Sequence, residues 1–219
     1  MSARLLLATL SLALSAGAVH AAPVTATGEL VSNGGFEATT VKSGNWITYT
    51  NAGGGYSGWT LGSNGVEIRN DAVGAAYQGS NFAELDTSAN SWISQSLATT
   101  KDTLYTLTFA YSPRSNVGSD SNGIGVYWNG TLLQDITASG LVGDGAGNDW
   151  TLYTFNVLAT GSSSVLKFAA TGKSDTMGGG IDAVSVKAAA TTAVPEPASL
   201  ALLGLGAAAL AFSRRRKRG

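Results

Sequence analysis

The stretch LYTLTFAY, residues 104–111, decides the fold class of this chain. Tyr105, Leu107, Phe109 and Tyr111 fall on one side of an extended backbone, and Thr106, Thr108 and Ala110 on the other. Large apolar rings therefore recur with period two, the spacing of a half-buried β-strand and not of a helix. WTLYTFNV, residues 150–157, repeats this aromatic and β-branched composition, which suits a pleated surface. Between them GIGVYWNGTLLQDI, residues 123–136, reads as a hairpin. Its Asn129-Gly130 pair tolerates positive φ at both turn positions.

Working outward, residues 81–87, 92–97, 164–170 and 181–187 are expected strands. No ten-residue stretch of the body shows a helical apolar stripe, and no internal repeat is visible. Short strands separated by Gly, Ser, Thr and Asn predict an all-β sandwich. The Gly-rich stretches 51–58 and 140–148 are expected surface loops, and neither carries the Lys-Ser/Thr of a phosphate-binding loop.

Both ends of the 219-residue chain differ from this body. Arg4, the apolar run 5–18 and Val19-His20-Ala21 read as a secretory signal peptide over 1–21, cut after Ala21. The alternative is a retained anchor, for which the run is short of the roughly 20 apolar residues that span a bilayer. Residues 22–187 form the expected domain and 188–193 a low-complexity linker. Residues 22–193 hold 13 acidic and 7 basic residues, a formal charge of −6. An acidic body does not fit nucleic acid, which needs a basic face. The chain has no cysteine, so thiolate metal sites and cysteine nucleophiles are excluded. Its one histidine, His20, belongs to the leader, so the mature body has no Ser-His-Asp machinery.

The far end is Val194-Pro195-Glu196-Pro197, an apolar run over 199–212, then Arg214, Arg215, Arg216, Lys217 and Arg218. Pro195 and Pro197 hold the approach extended. The Leu/Ala run past them favours a single hydrophobic helix, and the basic cluster favours the cytoplasmic side of a membrane. This order of parts resembles the PEP-CTERM sorting signal, a tail also labelled the ice-binding protein C-terminal domain. The resemblance implies processing near Pro195-Glu196-Pro197 by an exosortase, a membrane-embedded cysteine transpeptidase. It also implies an exported, cell-surface or extracellular protein, transiently anchored in the inner membrane. The alternatives are a plain C-terminal anchor that is never cut and a GPI-type signal, which does not normally end in five basic residues.

The body in turn resembles the galactose-binding-like jelly roll of carbohydrate-binding modules. The motifs that carry this likeness are ELVSNGGFE at 29–37, SGWT at 57–60, NFAELDT at 81–87, WISQSL at 92–97, LYTLTFAY, and GIDAVSV at 180–186. One turn departs from the pattern: Asp102-Thr103 stands where a Gly is usual. The resemblance implies a structural calcium shared by Glu37 and Asp182. Calcium accepts carboxylate and carbonyl oxygens; the alternative is that these carboxylates only cap loop N–H groups.

Among the aromatics, Tyr105, Phe109, Tyr153 and Phe155 are expected core. Trp46, Tyr56 and Trp59 flank a Gly-rich loop and are the candidates for an exposed sugar-stacking platform, while Trp92 and Trp128 read either way. Glu84 and Asp86 share one strand face. Paired carboxylates serve glycoside hydrolysis, but an exposed polar face opposite Ala83 and Leu85 is the stronger expectation. Three functions remain in order: a non-enzymatic surface or matrix protein, a module binding extracellular polysaccharide, and a carboxylate-dependent glycosidase.

Overall fold

A computed structural model of the chain describes residues 28–189, which fall within one compact unit. Eleven strands run in chain order: β1 (Asn45–Tyr49), β2 (Thr60–Leu61), β3 (Val66–Asn70), β4 (Phe82–Glu84), β5 (Trp92–Ala98), β6 (Leu104–Ser112), β7 (Ile124–Trp128), β8 (Thr131–Ile136), β9 (Thr151–Leu158), β10 (Ser163–Ala170) and β11 (Gly180–Ala188). They form two antiparallel sheets, ordered β1-β3-β4-β11-β6-β9 and β2-β5-β10-β7-β8. This is the expected jelly-roll sandwich; the signal peptide and the C-terminal helix expected at the two ends lie outside the described residues.

The alternation in β6 does what its spacing predicts. Tyr105, Leu107, Phe109 and Tyr111 are buried, and each pairs in register with β9, Phe109 opposite Tyr153. Phe109 stacks on Tyr153 and Phe155 and meets Phe168 of the other sheet edge-on at 4.9 Å. One ring thus joins both layers; full burial of such a side chain contributes about 1.5–3 kcal/mol.

Two turns show how local chemistry sets the register. Asn129 and Gly130 both adopt positive φ, at 50° and 81°, as a two-residue hairpin between β7 and β8 requires. Asp102 takes φ 61°, the left-handed conformation that a Gly would adopt most easily and that Asp tolerates. The departure from the family pattern therefore leaves the turn intact. The strands β1, β2 and β3 carry no strong alternation signal, and sequence reasoning passed over them. The expected loop at 51–58 is only partly a loop: a single 3-10 turn over Asn51–Gly53 is followed by a bridge between Tyr56 and Trp59.

Candidate functional site

The motif NGGFE folds into a turn pressed against β11. Val184 N–H donates to Gly34 O at 2.9 Å, and a side chain at Gly34 would collide with the Val184 carbonyl. Glycine is required there by this close approach. On the other side β11 is irregular: its register shifts between Asp182 and Ser185, and Ala183 adopts φ 49°. Bulges of this kind re-aim side chains. Phe36, a bulky residue, also holds φ 59°; strained backbone of this sort clusters at ligand and switch sites.

This turn and bulge bring Glu37 and Asp182 to one segment, residues 78–81. Glu37 Oε1 accepts from Ser80 N and Asn81 N at 2.7 and 2.8 Å. Asp182 Oδ2 accepts from Gln78 N at 2.9 Å, and its Oδ1 from Ala183 N at 2.6 Å. Asp182 is fully buried and forms no ion pair with a described residue. Burial, with Glu37 adding repulsion, pushes its carboxyl up to about 7. Beside them Asn81 Oδ1 is buried without a hydrogen-bond partner. Gly79 lies so close that a side chain there would overlap the Glu37 carboxylate. Buried acid without a counter-charge, an orphaned amide oxygen and a glycine-lined cradle are the donor chemistry of a hard cation, so the residues present fit calcium. An adjoining groove of about 430 Å³ is lined by Glu29, Glu37, Gln78 and Lys187.

Glu84 and Asp86 do share a face, but that face is not exposed: each is 1% accessible. Glu84 Oε2 meets Arg69 Nε at 2.6 Å and Arg114 Nη1 at 3.3 Å, while its Oε1 accepts from Gly178 N at 2.8 Å. Arg69 also pairs with Glu67 at 2.6 Å. Burial pushes the Glu84 carboxyl up to about 7 against the pull of the two guanidinium groups. Asp86 Oδ2 accepts from the N–H groups of Asp175, Thr176 and Met177. These carboxylates anchor the loop 172–179 over the sheet, and neither is free to flank a sugar.

The aromatic candidates separate. Trp46 is 52% exposed on β1, and the Arg69 guanidinium lies 5.3 Å from its ring centroid. Tyr56 and Trp59, expected on the surface, are buried at 5% each. Tyr56 donates to Phe36 O, Trp59 Nε1 donates to Asn33 O at 3.1 Å, and both stack on Phe36. They are the floor of the NGGF turn, because a Gly-rich turn has no side chains of its own to fill that space. Trp128 is buried as well, while Trp92 is half-buried.

Sequence reasoning missed a half-buried group on the outer face of the five-stranded sheet. Ser94, Lys167 and Tyr127 lie directly opposite one another across β5, β10 and β7. Ile93, Leu166, Phe168 and Val126, their chain neighbours, are buried, so this row faces away from the core. The Lys167 ammonium lies 5.1 Å from the Trp92 ring and 5.4 Å from the Tyr127 ring. The signal available was Lys167 itself, the one charge in an otherwise alternating strand.

Among the described residues no helix is long and apolar enough to cross a membrane. Pro195, Glu196, Pro197 and the cluster Arg214, Arg215, Arg216, Lys217 and Arg218 lie outside them. No curated protein matches the chain. Among solved structures, the body is similar to TmCBM61, determined in complex with β-1,4-galactotriose: TM-score 0.52, 17% identity, covering 74% of this chain and 100% of that one. It is also similar to a family 35 carbohydrate-binding module from Clostridium thermocellum, with TM-score 0.43, 16% identity, 66% of this chain and 99% of that one. The body thus has a jelly-roll fold of the kind found in carbohydrate-binding modules. Residues 193–217 match the PEP-CTERM protein-sorting motif, and a tail of that kind marks an exported, cell-surface protein.

Proposed function

We propose that this chain is an exported module that binds extracellular polysaccharide, delivered through its PEP-CTERM tail. The observation that carries this reading is the outward row on the five-stranded sheet. Trp92 and Tyr127 flank the Lys167 ammonium, with Ser94 directly across from Lys167. Rings offer stacking area at small entropic cost, and the ammonium and hydroxyl groups offer hydrogen bonds, a mixture suited to a sugar with apolar and polar faces. The fold, which several carbohydrate-binding modules share, favours this reading over that of a plain matrix protein. Trp46 offers a second, smaller platform on the opposite sheet.

The activity is binding without catalysis: Glu84 has both carboxylate oxygens committed to Arg69, Arg114 and Gly178. Glu37 and Asp182 hold a structural calcium that offsets the buried Asp182 charge and pins the NGGF turn to β11. An exosortase processes the tail near Pro195-Glu196-Pro197 while the run 199–212 holds the chain in the inner membrane. A glycan array on the full chain tests the binding reading, with Trp92→Ala, Tyr127→Ala and Trp46→Ala run in parallel. Polysaccharide binding lost in the first two and kept in the third supports the five-stranded face. Binding by none of the proteins, the unsubstituted chain included, refutes the reading.

A further inference from the structure

A second cluster lies where the turn 86–91 meets the loop 172–179. Among the described residues five buried side-chain polar atoms have no hydrogen-bond partner, and four belong to Asp86, Asn90, Ser91 and Asp175. Ser91 Oγ is a hydroxyl that lies against Gly62. The other three are Asp86 Oδ1, Asn90 Oδ1 and Asp175 Oδ1. Buried polar atoms are nearly always satisfied, so three unsatisfied oxygens in two facing segments call for a physical reason.

The two segments are tied together by several hydrogen bonds. Asp86 and Asn90 form an antiparallel bridge. Asp175 N donates to Asp86 Oδ2 at 2.9 Å, Asn90 N donates to Ser174 Oγ at 2.9 Å, and Asn90 Nδ2 donates to Gly172 O at 2.7 Å. That last bond fixes the sense of the amide, since Nδ2 must face the Gly172 carbonyl; Oδ1 is then the free acceptor. Asp86 is 1% exposed, and its carboxylate faces residues 175–177. The remaining oxygen of Asp175, Oδ2, accepts from Ser121 Oγ at 2.6 Å.

We propose that Asp86, Asn90 and Asp175 bind a divalent cation of the calcium class. All three free atoms are oxygens, two of them on carboxylates, which is the ligand chemistry of a hard cation and not of zinc or copper. The neighbouring basic side chains form their short ion pairs with other partners, although the Asp175 charge also acts on Lys173. Lys173 pairs with Asp120, and Arg114 bonds Glu84 and the Thr176 carbonyl. Calcium takes six to eight oxygens, so water or backbone supplies the rest, and the affinity belongs in the range of about 10⁻⁴–10⁻³ M seen for extracellular modules. The ion would lock the loop 172–179, whose Gly178 N–H holds Glu84, to a turn almost ninety residues earlier in the chain.

The test is calorimetric titration of the chelator-stripped full chain with calcium chloride alone, and with magnesium chloride alone as the smaller ion. In Asp175→Asn the number of calcium ions bound per chain should fall by one, or one site should weaken at least tenfold. In the unsubstituted chain calcium should slow hydrogen exchange at the amides of 172–179, and in Asp175→Asn it should not. Asp86→Asn should behave alike; if that variant fails to fold, Asp175→Asn decides, because its one lost charge makes a single side-chain hydrogen bond. Unchanged stoichiometry and unchanged exchange in Asp175→Asn overturn the proposal. So does a crystal structure grown in calcium with only water between the three oxygens.

Discussion

Replacing Arg69 by Met tests whether the buried charges are a structural unit. Arg69 and Glu84 are 5% and 2% exposed in their side chains. Removing the guanidinium leaves Glu84 with Arg114 at 3.3 Å and the Gly178 N–H, and leaves Glu67 without its partner. Breaking a buried pair from one side costs about 3–5 kcal/mol. The cost must depend on pH. Glu84 binds its proton more tightly folded, at about 7, than its ordinary value of 4.5. Its contribution to stability is thus full below about 4.5 and is lost as pH rises through 7, a swing of about 3 kcal/mol. Without Arg69 the folded carboxyl moves higher still, so the Arg69→Met penalty should be smaller at pH 5, where the lost Glu67 pair still costs, than at pH 8, where the loss at Glu84 is added. Urea unfolding at both values measures this. Adding Glu84→Gln should recover more than half of the loss at pH 8, since removing both partners is far less costly than removing one. A penalty equal at pH 5 and pH 8, or a double variant no better than Arg69→Met, would refute the argument.

Four further outcomes follow, two from the structure and two from the sequence. Phe109→Ala should cost about 3–5 kcal/mol in urea unfolding, since Phe109 contacts Tyr153, Phe155 and Phe168 and no water. Chelator should lower the melting temperature of the protein, and Glu37→Gln should remove most of that effect; an unchanged melt would leave Glu37 as a cap for the Ser80 and Asn81 N–H groups alone. N-terminal sequencing of exported protein should begin at Ala22, and a start at Met1 would contradict the leader. Changing Pro195, Glu196 and Pro197 together to Ala should leave insertion intact and block processing in a host with an exosortase. Fractionation and mass spectrometry would then show a full-length membrane-bound precursor, whereas release at the normal rate would reduce the motif to a linker.

The strands that were legible in the sequence are those whose two faces differ. β6 alternates large apolar residues with small or hydroxyl-bearing ones, and its burial follows that alternation from Leu104 to Phe109; beyond it Ala110 and Ser112 are buried too, where the strand runs under the loops. β1 and β3 were not legible because both of their faces carry large or charged side chains. In β3, Val66-Glu67-Ile68-Arg69 does alternate, but over only four residues, too few to mark a strand, and Glu67 and Arg69 on the outer face are buried like Val66 and Ile68 on the inner one. The same enclosure explains the misplaced aromatics. Tyr56 and Trp59 sit among glycines in sequence, which reads as a loop. In space those glycines let backbone approach backbone, and the two rings fill the volume beneath.

The carboxylates give the clearest physical division between scaffold and site. Glu84 and Asp86 were the natural pair for hydrolysis, two apart on one strand. In the fold they are buried, and four backbone N–H bonds and two ion pairs converge on Glu84 Oε1, Glu84 Oε2 and Asp86 Oδ2 from Arg69, Arg114 and residues 175–178. A general acid must reach a leaving group, and a nucleophile must reach an anomeric carbon; a carboxylate saturated by its own protein does neither. Asp182 and Asp86 Oδ1 differ in kind. They are buried acids whose charge no described side chain answers, and that is the condition under which a protein recruits a cation. Lys167 is the converse, a cation held by two rings on an open face and committed to no carboxylate. The two proposed cation sites would stiffen the NGGF turn and the loop 172–179, and the row of Trp92, Lys167 and Tyr127 on the five-stranded sheet is separate from both.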